Sequence, residues 1–326
     1  MPDFTLNTFH KLLTTLKEQG YTFQTFSGFL KDSAQQVIIL RHDVDARKMN
    51  SLQTARMEKE LGITGTYYFR MVPQSYDEEV IKQIAGLGHE IGYHYEDLSR
   101  CAVRGLRYAA RSKKSHDLHD LHDPAKRDFV ASLLNLHDQV LPEEELVDVA
   151  IVSFRENLAK LRRVVPVETI CMHGSPLSKY ENRMLWEKHD YRDFGIIGEP
   201  YFDINFGEVL YLTDTGRRWD GDSVSIRDKA QGTPVHRSFS EGGGHRAQGE
   251  EPRVPRTAYR TPLPRFHSTF DIINAAKEEK LPDKIMITVH PQRWDNRPLP
   301  WTRELIWQNI KNIIKKNITN RQIRDH

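Results

Sequence analysis

The chain has 326 residues, with 47 Lys+Arg against 45 Asp+Glu and a net charge of +2. It is long enough for one large α/β domain or two small ones, and its balanced charge excludes a global nucleic-acid or membrane field. Its two cysteines, Cys101 and Cys171, make neither a disulfide framework nor a zinc-knuckle spacing, which fits a reducing compartment.

The first residues, Met1-Pro2-Asp3-Phe4-Thr5-Leu6, lack a basic segment followed by a long apolar run, and no apolar run is long enough to span a bilayer. The expected location is therefore cytoplasmic. Phe4, Leu6, Phe9, Leu12, Leu13 and Leu16 recur at helical spacing and Gly20 closes the pattern, predicting an amphipathic helix over 4–19. Residues 1–36 are expected as a helical segment packed on the outside of the fold. The aliphatic run Val37-Ile38-Ile39-Leu40 leads into Arg41-His42-Asp43-Val44-Asp45, which reads as a buried strand of a parallel sheet ending in charge. A helix is predicted from about Asn50 to Leu61, and a second strand at Thr66–Phe69. Ser75 followed by Glu78 predicts a capping box for a helix whose stripe is Val80, Ile81, Ile84 and Leu87. His89–His94 is a short third strand.

Residues 100–165 read as an insertion. The His-rich tract Ser115–Asp123 alternates His and Asp without aromatic or cysteine support, the pattern of a solvated segment. Phe129–Leu136 and Leu146–Leu161 are predicted helices. Glu168–Gly174, Val209–Asp214 and Lys284–Pro291 each repeat the strand-into-polar pattern. Between the last two lies a second insertion, 228–265, rich in Gly, Pro, Arg and Ser. Gly242-Gly243-Gly244 within it has no strand before it and no Lys-Ser/Thr after it, so it is read as a loop near the site rather than a phosphate cradle. The Arg residues of this loop are offset by Glu241, Glu250 and Glu251, and nucleic acid is not an expected partner. The final helix, Arg303–Ile318 within a C-terminal segment 301–326, has Leu305, Ile306, Ile310, Ile313 and Ile314 against lysines. It is expected to pack on the fold, although a membrane-surface helix has the same pattern.

Strand then helix, repeated six or seven times, argues for a parallel α/β sheet, with residues 37–300 forming a barrel. Several strands end in residues of catalytic type, and a ring of strand ends is what lets such residues meet. Asp43 and Asp45 share a strand face and repel each other unless a positive group lies beside them. With His94, His173, Asp214 and His290 they form a set suited to a borderline divalent metal such as zinc, iron or cobalt. One carboxylate free as a base and one imidazole free as an acid complete a hydrolase constellation. His89-Glu90 begins like the helical motif H-E-x-x-H, but the next histidine is five residues on and Gly88 and Gly92 oppose a helix, so His89 is read as structural or supporting.

Asp43-Val44-Asp45, Gly88-His89-Glu90-Ile91-Gly92-Tyr93-His94 and Ile287-Thr288-Val289-His290-Pro291 resemble the first, second and last motifs of the polysaccharide deacetylases (carbohydrate esterase family 4, the NodB-homology group), in a divergent form with Asp-x-Asp in place of an adjacent pair. The resemblance runs from about Val37 to Trp294. It implies a distorted (β/α)7 barrel, a divalent ion, usually zinc, and hydrolysis of an N-acetyl group or a related amide or ester. It makes Asp43 the general base, Asp45 and His94 metal ligands, and His290 the leaving-group acid. Leu98 stands where the family has its second histidine, so His173 or, as the alternative, Glu96 is expected as the third ligand. Asp214 and Trp219 resemble the fourth motif, in which an Asp orients the catalytic His and an aromatic lines the groove. The family's Arg-x-Pro-Tyr motif has no counterpart, which leaves oxyanion stabilisation unassigned.

The expected substrate is an N-acetylated sugar of a cytosolic glycan precursor in surface-polysaccharide assembly, with Trp294, Trp301 and Tyr180 as candidate stacking surfaces. A cyclic amide or imide hydrolase, or a degenerate barrel that binds a glycan without turnover, are the alternatives. Deleting residues 232–255 is expected to leave a cooperative thermal transition. Loss of that transition in calorimetry would make the segment structural.

Overall fold

The computed structural model describes residues 2–102, 143–175, 178, 180–219 and 266–310. The His-rich tract, the helix expected at 129–136 and the loop at 228–265 lie outside these residues. The described elements are α1 (Leu6–Glu18), β1 (Thr22–Gln24), α2 (Phe26–Lys31), β2 (Val37–Val44), α3 (Lys48–Glu60), β3 (Thr66–Phe69), α4 (Glu78–Gly86), β4 (Glu90–Tyr95), α5 (Glu143–Arg162), β5 (Ile170–Met172), β6 (Leu210–Thr213), α6 (Thr269–Lys277), β7 (Lys284–Val289) and α7 over 298–310.

All strands belong to one parallel sheet of order β5-β4-β3-β2-β7-β6, with β1 alongside the start of β2. Helices cover its outer face, as parallel strands buried on both sides require. Ile38 and Leu40 of β2 turn outward into a core with Phe9, Leu12, Leu13 and Leu16 of α1 and Ile272 and Ile273 of α6. These α1 side chains are buried, each worth roughly 1.5–3 kcal/mol over an exposed position. Val44, Tyr67, Phe69 and Tyr93 turn into a second core with Val80, Ile81 and Ile84 of α4 and Phe154 of α5. The opposite face carries Ile39, Tyr68, Cys171 and Met286, and further along the same face Arg41 and Asp43.

That inner face is strongly curled. Two strands lie between β2 and β5, so a flat sheet would hold their ends about 14 Å apart. Yet His173, just past β5, has its Nε2 3.2 Å from Oδ1 of Asp45, just past β2. Gly92 on β4 permits the curl: a Cβ there would lie 2.3 Å from Cε1 of Tyr68, whose ring crosses the concave floor to hydrogen-bond Thr169.

Three sequence expectations are corrected. The first 36 residues are not only helical, because Thr22–Gln24 pairs with Val37–Ile39; a three-residue strand has too little periodicity to show. The cap of α4 is Asp77, whose carboxylate accepts from the backbone of Glu79 and Val80. Ser75 instead accepts from the backbone of Arg70 and donates to the carbonyl of Val44, tying β3 to the end of β2. Finally, α7 packs with its polar side inward: Glu304 and Gln308 are buried while Ile306 and Ile310 are exposed.

Gly92→Ala is expected to destabilise the fold by about 1–3 kcal/mol through overpacking, read as a lowered midpoint in urea unfolding. An unchanged midpoint would mean that Tyr68 swings away freely.

Candidate metal centre

β2 delivers two carboxylates to the concave face at its carboxyl end, and the local sequence treats them differently. Arg41, two residues before Asp43, shares its face. It donates Nε to Asp43 Oδ1 at 2.8 Å and Nη2 to Oδ2 at 2.6 Å. The pair is almost wholly buried, a bidentate geometry in which charge-assisted hydrogen bonds are strongest. Burial by itself raises the Asp43 carboxyl, but Arg41, with His94 and His290 nearby, outweighs it and brings it down to about 2. Asp43 is therefore ionised throughout the physiological range.

Asp45 has no such partner. Its Oδ1 is buried and makes no hydrogen bond. Two imidazoles face that oxygen: His173 Nε2 at 3.2 Å and His94 Nε2 at 3.7 Å. All three donor atoms lie within 4.8 Å of one another. Donors about 2.0–2.1 Å from a tetrahedral zinc ion stand about 3.3 Å apart, so these three residues are a group that could hold a metal ion. The other ring nitrogen of His94 is held from behind, while that of His173 makes no hydrogen bond. His94 Nδ1 donates to the carbonyl of Cys171 at 3.0 Å, leaving the lone pair of Nε2 toward Asp45. His173 Nδ1 lies 3.5 Å from Glu96 Oε2. Such backing is the usual arrangement around a ligating histidine. Burial pushes His94 down to about 4, against the pull of Asp43 and Asp45, so it is neutral and able to ligate at pH 7. Asp45 is held well below the usual carboxylate range: burial opposes this, and His173, His290 and His94 overcome it.

Asp43, His94 and Cys171 form a second group within the same distance limit. It shares His94, and both oxygens of Asp43 are already engaged by Arg41. The Asp45 set, with its unpartnered oxygen, fits an ion better. Glu96 is occupied by Arg70 at 2.6 Å and Arg100 at 3.4 Å and stands behind His173.

On the other side, His290 follows directly after β7. Its Nδ1 lies 2.6 Å from Asp214 Oδ1, and its backbone N–H donates to Asp214 Oδ2. Asp214 also accepts from Arg293 at 2.6 Å and from the Trp294 indole at 2.8 Å. Burial raises Asp214, but Arg293 and His290 hold it below its ordinary value. The imidazole is thus fixed with Nε2 turned inward, 3.8 Å from Asp45 Oδ2.

The structure brings together Asp43, Asp45, His94, His173 and His290, with Glu96 and Asp214 as their supports. It does not bring in Trp219 or His89. Trp219 is buried against Phe4 and Trp294 and donates to Thr269, so it lines no groove. Trp294 and Tyr180 are likewise buried and offer no stacking surface. His89 lies behind β4, bonded to the backbone of Gly65 and Ala55. The sequence reading missed Arg41 and Arg293. Arg41 was accessible through the same two-residue rule that paired Asp43 with Asp45.

Comparison of the chain with models of protein families, with curated proteins and with solved structures returns no match.

Glu199 is a further buried carboxyl, accepting from the backbone of Met172 at 3.0 Å and of Tyr201 at 2.6 Å. It thereby braces the end of β5 that carries His173. Burial raises it from 4.5 to about 7, with the Met172 N–H and Arg41 pulling the other way. A carboxyl raised on folding contributes stability that is fully present below about pH 4.5 and lost as pH rises through about 7. Between pH 4 and 8, Glu199→Gln is expected to lose less stability than wild type, by on the order of 3 kcal/mol, in urea titrations across pH. Parallel curves would refute the assignment.

Proposed function

We propose that the protein is a metal-dependent amide hydrolase that removes an N-acetyl group from a sugar in a glycan precursor. The fold read for it is a (β/α)7 barrel of the polysaccharide-deacetylase type. The observation that carries the reading is the buried Asp45 Oδ1, which makes no hydrogen bond and faces Nε2 of both His94 and His173, flanked by an ionised Asp43 and an oriented His290. Asp45, His94 and His173 would hold the ion, with zinc the best fit to this nitrogen and oxygen set. When bound, such an ion polarises an acyl oxygen and acidifies water.

The chain's own residues do the rest. Asp43 accepts the proton of the attacking water. Arg41 keeps it ionised and fixes its orientation. Asp214 holds His290 Nδ1, so Nε2 is the atom that delivers a proton to the departing amine. The Cys171 carbonyl keeps the His94 ring in orientation, and Glu96 places a carboxylate 3.5 Å from His173 Nδ1. A glycan-binding module without turnover has no use for Asp43 or for the Asp214–His290 pair, which speaks against that alternative. The burial of Trp219, Trp294 and Tyr180 favours a second reading, a compact amide such as a cyclic imide, over an extended stacked sugar. Among the described residues no helix is long and apolar enough to cross a membrane.

Elemental analysis of purified protein is expected to find one divalent ion per chain, lost in Asp45→Ala, His94→Ala and His173→Ala. Glu96→Gln is expected to keep the site with affinity weaker by roughly 10–100-fold. Asp43→Asn is expected to retain the ion and lose roughly 10²–10⁴-fold in hydrolysis of acetylated amines. Wild type that stays metal-free after addition of zinc, iron or cobalt would end this reading.

A further inference from the structure

The helix α7 is amphipathic in the reverse sense for a helix packed on a domain. Its inward side carries Glu304, which pairs with Arg47 at 3.4 Å, and Gln308, which bonds Glu304 at 2.7 Å. Trp301 is anchored there by its indole on the carbonyl of Asp3. Its outward side carries Leu299 (83% exposed), Ile306 (56%) and Ile310 (44%). Steps of four, three and four residues place Leu299, Arg303, Ile306 and Ile310 on one helical face. Exposed apolar side chains scattered singly are ordinary, whereas a row of them marks a contact surface.

The surroundings of this row are cationic. Two surface depressions of about 480 and about 310 Å3 adjoin it and share Arg297; Arg56 lines the first, and Arg47 and Arg303 the second. Met49, 60% exposed, adds an apolar residue to the first. Asp295 and Glu304, both buried, pair with Arg297 and Arg47, so the net charge of the patch rests on Arg56 and Arg303. In the sequence beyond residue 310, Ile313 and Ile314 continue among Lys311, Lys315 and Lys316.

We propose that this face docks on an anionic lipid surface, with the apolar row entering the interface and the arginines meeting headgroups. Apolar residues flanked by Arg and Lys on an exposed helix are the composition that lies in a membrane plane. The face also adjoins the candidate centre. Asp45 Oδ2 accepts from Gln292 at 3.3 Å, the Gln292 carbonyl accepts from Arg47 at 3.3 Å, and Arg47 pairs with Glu304 of α7. A docked α7 therefore holds the carboxyl ends of β2 and β7 close to the bilayer, where a lipid-attached substrate is presented. Docking itself requires neither the ion nor turnover, so its failure is distinguishable from failure of the hydrolase reading.

The test is co-sedimentation of the full chain with vesicles of phosphatidylglycerol and phosphatidylcholine, against phosphatidylcholine alone, at low and high salt. Partition to the anionic vesicles is expected to be roughly tenfold or more stronger and to weaken with salt. Both Leu299→Ser/Ile306→Ser and Arg303→Glu, changes at exposed positions, are expected to lose it while keeping the wild-type circular dichroism melt. Absence of wild-type binding to anionic vesicles would overturn the proposal, as would binding unchanged in both variants. A concentration-dependent dimer in light scattering without vesicle binding would assign the face to a second copy of the chain and overturn it equally.

Discussion

Two carboxylates at the end of one buried strand set the terms for this structure. Asp43 and Asp45 leave β2 on the same side, in a region with little water to screen them. Each must meet positive charge or be protonated. Asp43 is neutralised from within the strand by Arg41. Asp45 is left to the strands on either side, and its neighbours are the imidazoles of His94, His173 and His290. The asymmetry is what separates the roles: one carboxylate is locked in an ion pair with Arg41, and the other faces the ring nitrogens of His94 and His173.

The same division recurs around the centre. His290 is bound to Asp214, which is itself held by Arg293 and Trp294. Glu96 stands between Arg70, Arg100 and His173. Behind β2, His42 Nε2 lies 2.7 Å from Glu58 of α3, which also accepts from the Tyr67 hydroxyl at 2.7 Å. Glu90, on the inner side of β4, accepts from Ser27, Thr66 and Thr169. These charges are individually costly to bury, and removing one member of such a pair leaves the other stranded at about 3–5 kcal/mol. The sheet's curl, the hydrogen-bond supports and the placement of the donors are therefore one interdependent arrangement. The buried floor of Tyr68, Cys171 and Met286 keeps it from relaxing.

The outer face follows a different logic. α1 and α6 bury apolar stripes, as their periodicity requires. α7 attaches through polar groups and a tryptophan and turns its apolar row outward. Helical periodicity states that a helix has two unlike faces, and in α7 the contacts of Glu304 and Trp301 set which one the domain takes.

The sequence places six strands at 37–44, 66–69, 89–94, 168–174, 209–214 and 284–291, because β-branched and aromatic runs bounded by glycine and polar residues favour strands, and the structure trims or shifts the last four by one or two residues at their ends. The pairing of Asp43 with Asp45 follows from the two-residue repeat of a strand, and the same repeat carries Arg41. Tertiary structure decided the rest. Whether His173 or Glu96 faces Asp45 depends on how far the sheet curls, which is a matter of distances across three strands and of the missing Cβ at Gly92. Trp219 and Trp294 are chemically fit for a groove or a core, and only packing against Phe4 and Phe9 assigns them to the core. The direction of α7 was settled by Glu304 finding Arg47, a contact between residues 257 positions apart that no local pattern encodes.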